Sequence, residues 1–343
     1  MEYIITTELE DLQAFIDAGY RIAMLDGTVP GWESREGDLW YDHHNKTSNA
    51  KVQIDEMPPM KGAWDDRSIP EAMGGSWVCV STLLDADSVV AAAYLQLRPS
   101  DLAGGAGTEA FSMLRAIAHE CDHLCVDPAD EVNPDWAFKV VAAMKISSDA
   151  LREEMGLPKD RKEWSKEQRM LYYSTAFRQS VEHIIAAVRG ERPWPGEMGE
   201  ADKYFESLLA KRDELLEKGC CSFVEGIPYA DTSEIKGYVD PRATLMAWAK
   251  LDPEMGYKPV TLTRRSHNNG GFQYTLGTVP GHPGQDAVDL TKIFPVLTQA
   301  EMAAADGFTP DGWGGRTAVG GSGFNTPSLL LPHEVVGFVN PLI

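Results

Sequence analysis

The chain is short of basic side chains, of paired cysteines and of long apolar runs, and each shortage excludes a class of function. Its 31 Lys and Arg stand against 52 Asp and Glu, a formal net charge of −21. That balance argues against a broad electrostatic footprint for long nucleic acid or an anionic membrane surface. It leaves room for a local basic pocket, or for an anionic substrate held through cations. The five cysteines, at 79, 121, 125, 220 and 221, form no C-x-x-C pair, and an odd count without framework spacing fits a reducing compartment. Cys121 and Cys125 lie one helical turn apart, but a zinc site there lacks its second pair. No uninterrupted apolar span is long enough to cross a bilayer. The N-terminal run Met1-Glu2-Tyr3 is acidic, unlike the basic start of a secretory signal. The expectation is a soluble, cytoplasmic protein without repeats or a low-complexity tail.

What is present is ordinary in bulk and unusual in detail. A chain of 343 residues, 43% hydrophobic and 24% charged, has the composition of a globular protein of two domains or one large one. After a helix-like segment from Glu8 to Ala18, the run from Arg21 to Leu25 reads as a buried strand ending in Asp26-Gly27. Leu39-Trp40-Tyr41 reads as a short buried strand leading into Asp42-His43-His44. Residues 45–75 are irregular and rich in Pro and Gly, as a long functional loop would be. A third strand, Ser76 to Thr82, runs through Asp85-Ala86-Asp87-Ser88 into an alanine-rich helix, with Ser88 as a candidate N-cap. A helix amino end favours negative charge, including a phosphate brought to it. Simple capping explains one of the two aspartates well and both less well.

Further on, apolar spacing near 3.6 predicts a helix over Ala110 to Val126, carrying His119-Glu120-Cys121-Asp122-His123. Residues 136–218 read as packed amphipathic helices broken near Gly190 to Gly199, with His183 a core or boundary histidine. A β pattern restarts near Gly219. Strands follow at Tyr257 to Arg264 and Gly271 to Thr278, then helices at Asp289 to Ala304 and His333 to Phe338. Between those helices, the glycine-dense stretch 312–323 suits either a loop bringing amides close to an anion or a turn-rich connection.

Two chemistries compete for the polar residues. His119-Glu120-x-x-His123 matches the H-E-x-x-H pattern, in which two histidines bind zinc and the glutamate activates water. Asp122 sits at a position that zinc peptidases usually leave uncharged, no metzincin extension follows His123, and the match leaves the other acids unexplained. The second reading uses Asp26, Asp42, His43, His44, Asp85, Asp87 and Asp122 together. Many carboxylates with imidazole and no thiolate suit Mn²⁺ or Mg²⁺. Two such ions neutralise clustered acids, activate water and clamp a phosphoryl group for in-line attack.

This second set resembles the DHH phosphoesterase superfamily, which includes manganese-dependent pyrophosphatases, single-strand exonucleases, oligoribonucleases and cyclic-dinucleotide phosphodiesterases. Asp42-His43-His44 is similar to the name-giving triplet, and Asp85-Ala86-Asp87 with its small-residue helix looks like the D-x-D motif. Asp26 resembles the lone bridging aspartate and Asp122 the later aspartate that closes the site. The glycines of Gly314-Gly315-Arg316 and Gly320-Gly321-Ser322 are similar to the substrate-binding motif of the family's second domain, without its Gly-Gly-Gly-His run. The order departs from the family's, since D-x-D here follows the triplet. A parallel sheet tolerates this, because its site is built from strand ends.

The resemblance implies an α/β fold: a parallel-sheet, DHH-like catalytic domain (1–135), a helical connecting segment (136–218) and a smaller α+β domain (219–343) that closes over substrate. It implies two Mn²⁺ ions, with Mg²⁺ or Co²⁺ as substitutes, held by Asp26, Asp42, His43, Asp85, Asp87 and Asp122. His43, His44 and Asp87 are the expected catalytic residues, with His44 either a ligand or a phosphate contact. Arg264, Arg265, His267, Arg316, Gly320, Gly321 and Ser322 join His44 as candidate substrate contacts. For Arg264 and Arg265 ordinary surface charge explains the sequence equally well. The expected reaction is hydrolysis of a phosphoester or phosphoanhydride in a small phosphorylated molecule or short oligonucleotide, by a protein that could form a homo-oligomer. The alternatives are the zinc peptidase and a catalytically inactive phospholigand-binding protein.

Overall fold

The computed structural model describes residues 1–41, 75–98, 100–101, 109–123, 134–267, 270–279, 282, 284, 287–307, 309–323 and 325–343, without the side chains of 119, 122, 123, 134 and 135. The chain is α/β and divides into two compact units, Met1–Tyr204 and Phe205–Ile343.

The first unit opens with β1 (Glu2–Ile5), α1 (Leu9–Asp17), β2 (Arg21–Leu25), β3 (Leu39–Tyr41) and β4 (Trp77–Ser81). These strands form one parallel sheet in the order β1-β4-β2-β3. Alternation along each strand sends side chains to opposite faces. Ile4, Ile22, Met24, Val78 and Val80 pack with Leu12 of α1 and with Val29 and Trp32 on one face. Ile5, Ala23, Leu25, Trp77 and Cys79 point to the other. Both faces are therefore covered, which is why the strands read as unbroken apolar runs.

The second face is filled by α2 (Ala86–Tyr94), α3 (Glu109–His123), α4 (Pro134–Glu154) and α5 (Lys166–Val188). All nine residues of α2 are buried. The consecutive alanines 91, 92 and 93 let the sheet, α3 and α5 approach it without a large side chain between them. α4 and α5 add Val140, Met144, Phe177, Val181 and Ile184 to this core. His183 on α5 is half-buried, its ring Nε2 3.0 Å from the Pro193 carbonyl oxygen, a boundary position as its apolar flanks predict. α6 (Asp202–Glu217) carries the division between the units.

The second unit is a six-stranded mixed sheet, ordered β5-β6-β7-β8-β10-β9. Its strands are β5 (Cys221–Val224), β6 (Ile227–Asp231), β7 (Val260–Ser266), β8 (Phe272–Thr278), β9 (Gly314–Gly315) and β10 (Val319–Gly321), with α7 (Pro241–Leu251), α8 (Phe294–Ala304) and α9 (Pro332–Val339). Its core joins Leu262, Tyr274 and Leu276 of the sheet to Phe294 and Leu297 of α8 and Val335, Val336 and Val339 of α9. The glycine-dense stretch is neither a bare loop nor a simple connection: β9 and β10 form an antiparallel edge pair, with β10 against β8. Glycine is dictated there by contact, since a Cβ on Gly320 would meet the Phe294 ring and the Gly314 carbonyl, and one on Gly321 the Tyr274 carbonyl. Among the described residues no helix is long and apolar enough to cross a membrane.

Candidate metal centre

In a parallel sheet all carboxyl ends face one way, and the loops leaving adjacent strands meet there. β2 and β4 are adjacent; Asp26 follows β2, and Asp85 and Asp87 follow β4. One carboxylate oxygen from each of the three comes within 4.8 Å of the others. Asp26 and Asp87 are each 3% exposed and Asp85 is half-buried.

The local geometry follows from the residues at the turns. Asp26 adopts φ 46°, a left-handed conformation that aspartate tolerates better than most side chains. Its N–H donates to the Tyr41 carbonyl at 2.8 Å, the last bond of β2 before the chain turns away. Gly27 continues at φ 97°, and a Cβ there would strike the Thr82 hydroxyl. The Ser81 hydroxyl, at the end of β4, reaches the Asp26 carbonyl at 3.1 Å and the Leu83 carbonyl at 2.8 Å. One buried hydroxyl thus ties both turns together.

Asp85, not Ser88, is the N-cap of α2, because the helix starts at Ala86 rather than past Ser88. The Ser88 N–H is 3.4 Å from Asp85 Oδ1 and 2.8 Å from Asp87 Oδ1. The Ala86 N–H donates to the Cys121 sulfur of α3 at 3.3 Å. Two of the amides that a phosphate would use at this helix end, those of Ala86 and Ser88, are therefore already engaged. Capping does explain part of Asp85, as its position suggests, but it does not explain why Asp26 and Asp87 are gathered around it.

Crowding marks the electrostatics. Burial, reinforced by the neighbouring Asp26 carboxylate, pushes the Asp85 carboxyl up to about 7. Burial, then the Asp87 and Asp85 carboxylates, holds the Cys121 thiol well above the usual range for a cysteine. Three carboxylates at this separation, two of them buried and one half-buried, call for a proton or a cation. Among the described residues the donor set consists of hard oxygens, which match Mn²⁺ or Mg²⁺ rather than a soft metal. The residues present fit such an ion.

Asp42, His43 and His44 lie outside the described residues, immediately after Tyr41, the β3 residue paired in register with Leu25. Asp122 lies on α3 directly after Cys121, and the side chains of Asp122, His119 and His123 are outside the description. Glu120, between those histidines, is 2% exposed. In the sequence Cys121 stands out only as one of two cysteines a helical turn apart, without the second pair that a zinc site needs. Its place against the D-x-D turn had no signal beyond the helical spacing of α3.

In the second unit Arg264 is held by Asp231 and lies over the Phe272 ring, 4.0 Å from its centroid. Arg265 donates from Nε and Nη2 to Gln273 Oε1, at 3.0 and 2.7 Å. His267 is buried at the end of β7. The exposed Arg316 lies between β9 and β10, its backbone N–H bonded to the Val319 carbonyl at 2.7 Å. Gly320 and Gly321 belong to β10, and the buried Ser322 hydroxyl accepts the Tyr274 N–H at 2.9 Å. Arg264, Arg265 and Ser322 thus make contacts internal to their own unit.

No family model and no curated protein matches the chain. Among solved structures it is similar to a pGpG-specific phosphodiesterase, PggH from Vibrio cholerae, with TM-score 0.32 and 12% identity, over 60% of this chain and 56% of that one. The chain thus spans little more than half of that structure, and the likeness is too slight to transfer an activity.

Proposed function

We propose that the chain is a metal-dependent phosphoesterase, hydrolysing a phosphoester or phosphoanhydride bond in a small phosphorylated substrate such as a nucleotide or short oligonucleotide. The observation that carries this reading is the convergence of Asp26, Asp85 and Asp87 from two adjacent strand ends into one group of carboxylates, two of them buried and one half-buried. A solvated acidic patch needs no such burial, and a structural aspartate cap needs one carboxylate, not three.

On this reading Asp26, Asp85 and Asp87 hold a pair of Mn²⁺ ions, with Asp42, His43 and Asp122 as the further ligands that the motif resemblance suggests and His44 as a ligand or phosphate contact. When bound, divalent cations supply Lewis acidity to water and to phosphoryl oxygens. The chain itself does the positioning. Ser81 fixes the backbone carrying Asp26, and Asp85 and Asp87 take up the Ser88 N–H from the first turn of α2. Burial of Asp26 and Asp87 keeps bulk water from competing for their oxygens.

Elemental analysis of the purified protein, followed by a phosphoester panel with Mn²⁺, tests the proposal. Asp87→Ala is expected to abolish turnover while far-UV circular dichroism stays unchanged. Full activity in Asp87→Ala, or after exhaustive chelation, would overturn it. One zinc per chain with proteolysis lost in Glu120→Ala would favour the peptidase instead, and retained phospholigand affinity without turnover under any metal would favour a binding protein.

A further inference from the structure

We infer that Cys121 is a positioning residue for the carboxylate centre, its sulfur acting as the acceptor that fixes the first turn of α2 and with it Asp85 and Asp87. This rests on the reading of that centre as a cation site. The first amides of any helix have no partner inside the helix and must find one elsewhere. In α2 the Ser88 N–H is shared by the two aspartates, which leaves the amides before it. The Ala86 N–H, lying between the two aspartates in sequence, donates to Cys121 Sγ at 3.3 Å. One side chain from α3 therefore holds the peptide group that joins Asp85 to Ala86, in the stretch from which both carboxylates project.

The sulfur is not a member of the group of donors that close on one another within 4.8 Å; that group is three carboxylates. Its role is thus to orient ligands. α2 is buried along its whole length, so water is poorly placed to replace a lost acceptor, and the turn must shift or leave the Ala86 amide unpaired. Such supporting contacts are typically worth roughly 10–100-fold in metal affinity. Serine keeps an acceptor at this position, valine keeps the volume without one, and alanine removes both.

Mn²⁺ titrations of the full chain, read by the electron paramagnetic resonance of the free ion, separate these possibilities. Near-UV circular dichroism first establishes that each variant is folded, with C121A substituting if C121V fails. C121V is expected to bind Mn²⁺ about 10–100-fold more weakly than wild type, and C121S to recover most of that loss. Wild-type affinity in folded C121V, or C121S as weak as C121V, would overturn the positioning role while leaving the cation site standing. A sulfur-to-cobalt charge-transfer band in the Co²⁺ protein, lost in C121S, would make the sulfur a ligand and overturn the role as well. A wild-type chain that binds no Mn²⁺ would overturn the cation site itself, and with it this role, before any variant is compared.

Discussion

Asp85 answers to two demands that pull against each other: it caps α2, and it stands in a buried group with Asp26 and Asp87. A carboxyl titrates near 4 in an unfolded chain, to about 3.9 for aspartate, whereas burial and Asp26 raise it to about 7 in the fold. Between those values the folded chain holds a proton that the unfolded chain has lost, so stability falls as pH rises through this window and levels off above it. The cation-free protein is therefore expected to melt several degrees lower at pH 8 than at pH 5, with Mn²⁺ restoring most of the difference at pH 8 and little at pH 5. Differential scanning fluorimetry with and without chelator checks this, and a melting temperature that rises with pH in chelator would refute it. Asn caps a helix about as well as Asp. Asp85→Asn is thus expected to remove the pH dependence, stabilise the cation-free chain at pH 8, and weaken Mn²⁺ binding. A variant that loses function while gaining stability is the usual sign of a strained site.

At the scale of elements, the centre depends on two turns held against each other. Gly27 serves the first turn twice, by its φ of 97° and by the absence of a Cβ where the Thr82 hydroxyl sits. Gly27→Ala is expected to cost about 1–3 kcal/mol in urea unfolding and to weaken Mn²⁺ binding, whereas Gly19→Ala, at φ 79° with no atom within 4 Å of the new Cβ, is expected to bind Mn²⁺ normally at a smaller cost in stability. Equal Mn²⁺ affinity in the two variants would show that the turn does not set the centre. The strands around it were legible in the sequence, because a sheet covered on both faces writes continuous apolar runs such as Ile22 to Leu25 and Trp77 to Val80. The start of α2 was not, since Ser88 and Asp85 are both good caps and only the helix register chooses between them. The β9–β10 pair was also hidden. Glycine density signals freedom in a sequence, but here it reflects close contact with Phe294 and Tyr274.

At the scale of the whole molecule, the excess of 52 acidic over 31 basic residues opposes binding of long polyanions, in keeping with the small phosphorylated substrate proposed above. Binding to long single-stranded nucleic acid is expected to be weak and only shallowly salt-dependent. Tight binding with a steep negative slope against salt, measured by fluorescence anisotropy, would overturn that expectation.

The sequence alone determined which chemistry was available: acids at the ends of apolar runs, a triplet of Asp42-His43-His44, and no cysteine framework. Local patterns can specify this because strand burial and turn formation are decided over a few neighbouring residues. Only the tertiary structure decided that Asp26, Asp85 and Asp87 meet, and that Cys121 takes up the Ala86 amide between the last two. Adjacency in a parallel sheet depends on strand order, and the placing of β4 between β1 and β2 is settled by packing across the whole first unit rather than by any segment within it.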